Sequence, residues 1–106
     1  ICQALMEDAV YDAAGQLLTA TFMDYAMPRA EDVPLVAFTT ESTPSTTNVF
    51  GMKGCGEAGT VGALAAVSNA VLDALWPMGV RDVVMPMSPH RVWAMMQEAR
   101  AEGAAA

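Results

Sequence analysis

The chain has 106 residues, 54% of them hydrophobic and 16% charged, with a formal net charge of −7. That length bounds it to one domain or part of one, with a smaller share of surface buried than in a larger chain. Its five basic residues are scattered, which excludes the basic stripe that a nucleic-acid surface needs.

Nine methionines and so few charges are rich for a domain standing alone in water. Some apolar surface is therefore expected to be covered by something outside the chain, or by self-association. The chain starts at Ile1, inside a helical pattern, and closes on "AEGAAA", so that residues 102–106 read as a frayed tail. Both ends fit a single fragment, 1–106, of a longer polypeptide. Cys2 and Cys55 are too few and too far apart for a zinc site of known spacing, and a reducing cytoplasm is the default location. The longest apolar stretch, "AGTVGALAAVSNAVLDAL", carries Asn69 and Asp73 and falls short of the uninterrupted ~18 residues that mark a membrane span.

In chain order, residues 1–10 place apolar side chains at 1, 2, 5, 6, 9 and 10, the spacing of a helix. Gly15 is a stop signal. "QLLTATFMDY", rich in Thr, Leu and aromatics, predicts a strand, and "AMPRAEDVP", residues 26–34, predicts a loop. "LVAFTTE" is a second predicted strand, and "STPSTTNVFG" an irregular polar connection. A glycine-rich turn follows, and from Thr60 to about Trp76 the pattern is helical. That helix is small and apolar on every side and so is expected to be buried on most of them. Pro77 and Gly79 end it. "RDVVMP" predicts a short strand. "SPHRVWAMMQEARAE" opens the last helix with Ser88 as N-cap and Pro89 at its first position.

The turn "GMKGCGEAGTVG" carries the chemistry. Glycines at 51, 54, 56 and 59 free the backbone and let a ligand approach closely. The helix that follows offers unpaired N–H groups and the positive end of its dipole. The spacing matches neither a Walker loop nor a dinucleotide fingerprint. Glu57, between a glycine turn and an apolar helix, is expected to be partly desolvated, which makes it a candidate general base. The plainer alternative is a first-turn glutamate that complements the helix dipole. Lys53, the only lysine, reads equally as a phosphate contact or a solvated loop residue. Cys55 reads as a small packing residue rather than a metal ligand. His90 is expected to be exposed and without a catalytic role.

"GMKGCGEAGTVGALAAVSNAVLDAL", residues 51–75, resembles the C-terminal signature of the molybdenum hydroxylases: the xanthine dehydrogenase, aldehyde oxidase and aerobic carbon monoxide dehydrogenase group. Their large subunit carries Gly-x-x-Gly-x-Gly-Glu followed by an apolar helix. "FMDYAMPRAEDVP", residues 22–34, and "SPHRVWAMM", residues 88–96, resemble the segments that flank it in those proteins. The resemblance implies an α+β fragment of a molybdopterin-binding domain. It maps the family's catalytic glutamate onto Glu57, as general base at the molybdenum site, and places Gly54, Cys55 and Gly56 against the cofactor. The parent reaction would be hydroxylation of an aldehyde or N-heterocycle, or oxidation of carbon monoxide. The implied cofactor is molybdopterin, in its cytosine dinucleotide form for a bacterial source, with iron–sulfur clusters and FAD on other domains or subunits. The remainder of the large subunit and those subunits would be the partners, and no metal ligand comes from this chain. Many members carry a His-Asn pair just before the turn; here the stretch is "TPSTTNVFG", with no histidine. An alternative function comes from another class: a non-catalytic folding or interaction module that by itself binds no molybdenum.

Overall fold

Helices make up nearly all the regular structure among the described residues of this computed structural model, which describes residues 1–33 and 35–105. Pro34, the last residue of the predicted loop, and Ala106, the end of the predicted tail, lie outside the described residues. The helices are α1 (Cys2–Leu5), α2 (Ala58–Leu75) and α3 (Pro89–Ala105), with 3₁₀ turns at Ala30–Asp32 and Trp76–Met78.

The first helix is far shorter than the apolar spacing predicts. It ends at Met6, because the residues beyond it bond elsewhere. Glu7 accepts from the Tyr25 hydroxyl at 2.6 Å, Asp8 accepts from Arg91 at 2.7 Å, and the Val10 N–H donates to Thr19 at 3.0 Å. These distant partners outweigh the modest propensity of one more helical turn.

The α+β expectation holds only in its helical half. Of the three predicted strands, those at 35–41 and 81–86 do not pair among the described residues, and that at 16–25 pairs only at Leu17; strand structure among the described residues is one antiparallel bridge, Tyr11 with Leu17. A strand needs a neighbour along its length to satisfy its backbone, and among the described residues these segments find no more than that single bridge. The Thr21 hydroxyl instead bonds Asp24 at 2.7 Å, and the Tyr25 N–H donates to the Thr21 carbonyl at 2.9 Å, closing a local turn.

The start of α2 falls at Ala58, two residues before the predicted one. Its C-terminal end behaves as expected: Pro77 lies in the 3₁₀ turn and Gly79, at φ +93°, closes it. A Cβ at Gly79 would meet the Ala99 Cβ at 3.6 Å, so the turn lies close against α3. Arg81 stacks over the Trp76 ring at 4.2 Å and donates to the Trp76 carbonyl at 2.7 Å. The last helix starts at Pro89 as predicted, with the Val92 N–H on the Ser88 carbonyl at 2.9 Å. Residues 102–105, a tail by composition, continue that helix.

The buried apolar residues are Cys2, Ala4, Leu75, Val80 and Met87. This small core joins α1, the end of α2 and the approach to α3; the Met87 N–H donates to the Ala4 carbonyl at 2.7 Å. A folded chain of this length has a radius of gyration of about 13 Å, whereas this one has 18.7 Å. It exposes 8564 Å², about 2,900 Å² more than a globular monomer of its mass. Most of α2 is exposed, contrary to the burial its apolar surface predicts, with Val61 at 72%, because the described residues supply no second layer to cover it. The segment Ala58–Met78, with mean hydropathy 1.4, is long and apolar enough to cross a membrane by length and composition alone. Apolar core helices of non-membrane proteins meet the same measure.

Candidate functional site

The glycine-rich turn joins an irregular segment to α2, and each side is anchored differently. Upstream, Gly51 sits at φ +64°, a left-handed conformation suited to glycine. A Cβ there would stand 2.9 Å from the Pro44 Cβ. The Ser45 N–H donates to the Gly51 carbonyl at 3.0 Å, and the Gly51 N–H to the Asn48 carbonyl at 3.2 Å. The Asn48 side chain also bonds the backbone of Met52 in both directions. Downstream, the Ala58 N–H donates to the Cys55 carbonyl at 3.3 Å and the Val61 N–H to the Glu57 carbonyl at 2.9 Å, starting α2.

Glu57 occupies the N-cap position, with φ −101° and ψ −2°, and its carboxylate caps no N–H of the helix. It is exposed, where partial desolvation is the expectation from sequence; among the described residues nothing packs over it. Gly54, Gly56, Glu57, Ala58, Val61 and Gly62 line an open cavity of about 610 Å³. Gly54 and Gly56 have no atom within 4 Å of where a Cβ would stand. Packing among the described residues therefore does not require glycine there. Cys55 is a free, exposed thiol, not the buried packing residue its type predicts. Lys53 is exposed and, among the described residues, forms no ion pair. His90 is exposed, as expected. Among the described residues no three His, Cys, Asp or Glu side chains gather as a metal site.

Sequence reasoning passed over Asn48 as part of an irregular connection. The available signal was an Asn three residues before a glycine, the pattern of a side chain that bonds its own turn.

Residues 1–34 match the family described as molybdopterin cofactor-binding domain. The chain is 40% identical over 95 residues to the 6-hydroxypseudooxynicotine dehydrogenase complex subunit gamma of Paenarthrobacter nicotinovorans, covering 89% of this chain and 12% of that one. It is 36% identical over 95 residues to the carbon monoxide dehydrogenase large chain of Hydrogenophaga pseudoflava, covering 90% and 12%. The chain belongs to the molybdenum hydroxylase large-subunit family. Its backbone superimposes on quinoline 2-oxidoreductase from Pseudomonas putida 86 with a TM-score of 0.83 and 41% identity, over 91% of this chain and 12% of that one. The fold is thus that of part of a molybdopterin-binding domain, and the family consists of molybdenum hydroxylase enzymes. The chain spans about 12% of the length of the relatives it matches.

Proposed function

We propose that this chain forms the part of a molybdenum hydroxylase large subunit that carries the general base, Glu57. One observation supports the reading above all. The glycine turn presents a carboxylate that caps no helix N–H, beside an open cavity and bare backbone at Gly54 and Gly56.

The residues fit a molybdopterin group bound from outside the chain. The metal would be held through its organic cofactor, with Glu57 as neighbour rather than ligand, and Gly54, Cys55 and Gly56 would lie against the pterin. When bound, that cofactor supplies the two-electron oxidation. Glu57 accepts the proton released as substrate is oxidised, at its carboxylate oxygen. The N–H groups at the start of α2 favour negative charge beside it. The exposed apolar face of α2 is covered by the remainder of the large subunit, which excludes water from the site and strengthens the electrostatics within it.

Substrate oxidation is hydroxylation of an N-heterocycle or aldehyde, or oxidation of carbon monoxide. Quinoline, named in one solved relative, makes the N-heterocycle the first class to assay. Iron–sulfur clusters and FAD on partner domains or subunits would supply the onward electron transfer, the cofactor would be of the cytosine dinucleotide form, and the location would be cytoplasmic. The test is metal and pterin analysis of the intact protein, with turnover on a heterocycle, an aldehyde and carbon monoxide. Stoichiometric molybdenum with turnover of one of these is expected. A full-length protein without molybdenum, inactive on all three, would overturn the reading in favour of a non-catalytic module.

A further inference from the structure

We infer that Asn48 is the positioning residue for Glu57, through a backbone clasp that holds the upstream end of the glycine turn. The inference rests on Glu57 being the base.

Asn48 Nδ2 donates to the Met52 carbonyl at 2.9 Å, and the Met52 N–H donates to Asn48 Oδ1 at 2.9 Å. One side chain thus satisfies both backbone groups of one residue. Within the same loop the Gly51 N–H reaches the Asn48 carbonyl at 3.2 Å and the Ser45 N–H reaches the Gly51 carbonyl at 3.0 Å. The Thr47 N–H donates to Ser45 Oγ at 3.2 Å. Ser45, Thr47, Asn48, Gly51 and Met52 are therefore bonded to one another within an exposed loop.

Only Lys53 and Gly54 separate the clasp from Cys55, whose carbonyl accepts from Ala58 at the start of α2. Glu57 is held from behind by α2 and from ahead by a fixed point two residues from that turn. Without the Asn48 side chain, the fixed point retreats and the soft dihedrals of the intervening residues reach Glu57. A misplacement of about 1 Å at a reacting group costs on the order of 10²-fold in rate.

The test is steady-state kinetics on the molybdenum-loaded holoenzyme, comparing Asn48→Ala and Asn48→Asp, each alone and combined with Glu57→Gln. Asn48→Ala is expected to lower kcat by between about 10- and 100-fold with KM and molybdenum content little changed. Asn48→Asp keeps the acceptor from the Met52 N–H and loses the donor, so its kcat falls between wild type and Asn48→Ala. In the Glu57→Gln background, Asn48→Ala costs no further rate, because the group it positions has gone. An equal loss from Asn48→Ala in both backgrounds, or unchanged kcat in Asn48→Ala, overturns the inference. Near-normal kcat in Glu57→Gln alone overturns the base reading, whatever Asn48→Ala does.

Discussion

Arg91, in the first turn of α3, donates from Nη2 to the Asp8 carboxylate at 2.7 Å, joining residues 83 positions apart in sequence. The same arginine reaches the Met85 carbonyl at 3.1 Å, and two residues on the Met87 N–H bonds Ala4 at 2.7 Å. Two contacts, Arg91 with Asp8 and Met87 with Ala4, thus tie the start of the last helix to the N-terminal segment.

Both partners of the ion pair are more than a third exposed, so solvent screens it. Asp8→Asn is expected to cost on the order of 0.5 kcal/mol of stability, less at high salt. A double-mutant cycle with Arg91→Ala, read by denaturant midpoint, checks it. A coupling energy that does not weaken with salt would contradict the screened-pair description.

The Tyr25 hydroxyl donates to Glu7 at 2.6 Å. That bond first, then desolvation and the carboxylate's charge, raises the Tyr25 pKa above 10.0. The folded value lies above the unfolded one, so this contribution to stability is complete below pH 10.0 and is lost as pH rises through the higher folded value. The stability difference between wild type and Tyr25→Phe should therefore be constant up to about pH 10 and shrink beyond it. A difference independent of pH up to the alkaline limit of folding would count against the bond.

The 106 residues produced alone are expected to associate or bind another chain, since they expose about 2,900 Å² beyond a globular monomer, with Phe38 at 85% and Val61 at 72% among the exposed apolar residues. That excess is in the range that obligate interfaces bury. Sedimentation at rising concentration measures it. A monomer with sharp, native-like spectra at high concentration would contradict the expectation.

The helices were legible because their signals are local. Pro89 after Ser88, Pro77 with Gly79, and the apolar run from Ala58 all act within a few residues. The strands were not, because a strand is completed by a partner, and segments such as "LVAFTTE" find none among the described residues. The shortening of α1 was equally hidden: Tyr25 and Arg91, which draw Glu7 and Asp8 away, lie 18 and 83 residues on. At the site, Glu57 and its glycines could be read from their order. Its exposure could not, since apolar sequence announces burial without saying which polypeptide supplies the cover. Asn48 went unread because its partner is backbone, which carries no sequence signature at Met52.

Glu57→Gln in the molybdenum-loaded holoenzyme bears most directly on the central claim. The substitution keeps shape and removes the base. With molybdenum content at the wild-type level, kcat is expected to fall by about 10²- to 10⁴-fold. A variant that keeps its molybdenum and turns over at a near-normal rate would contradict the assignment.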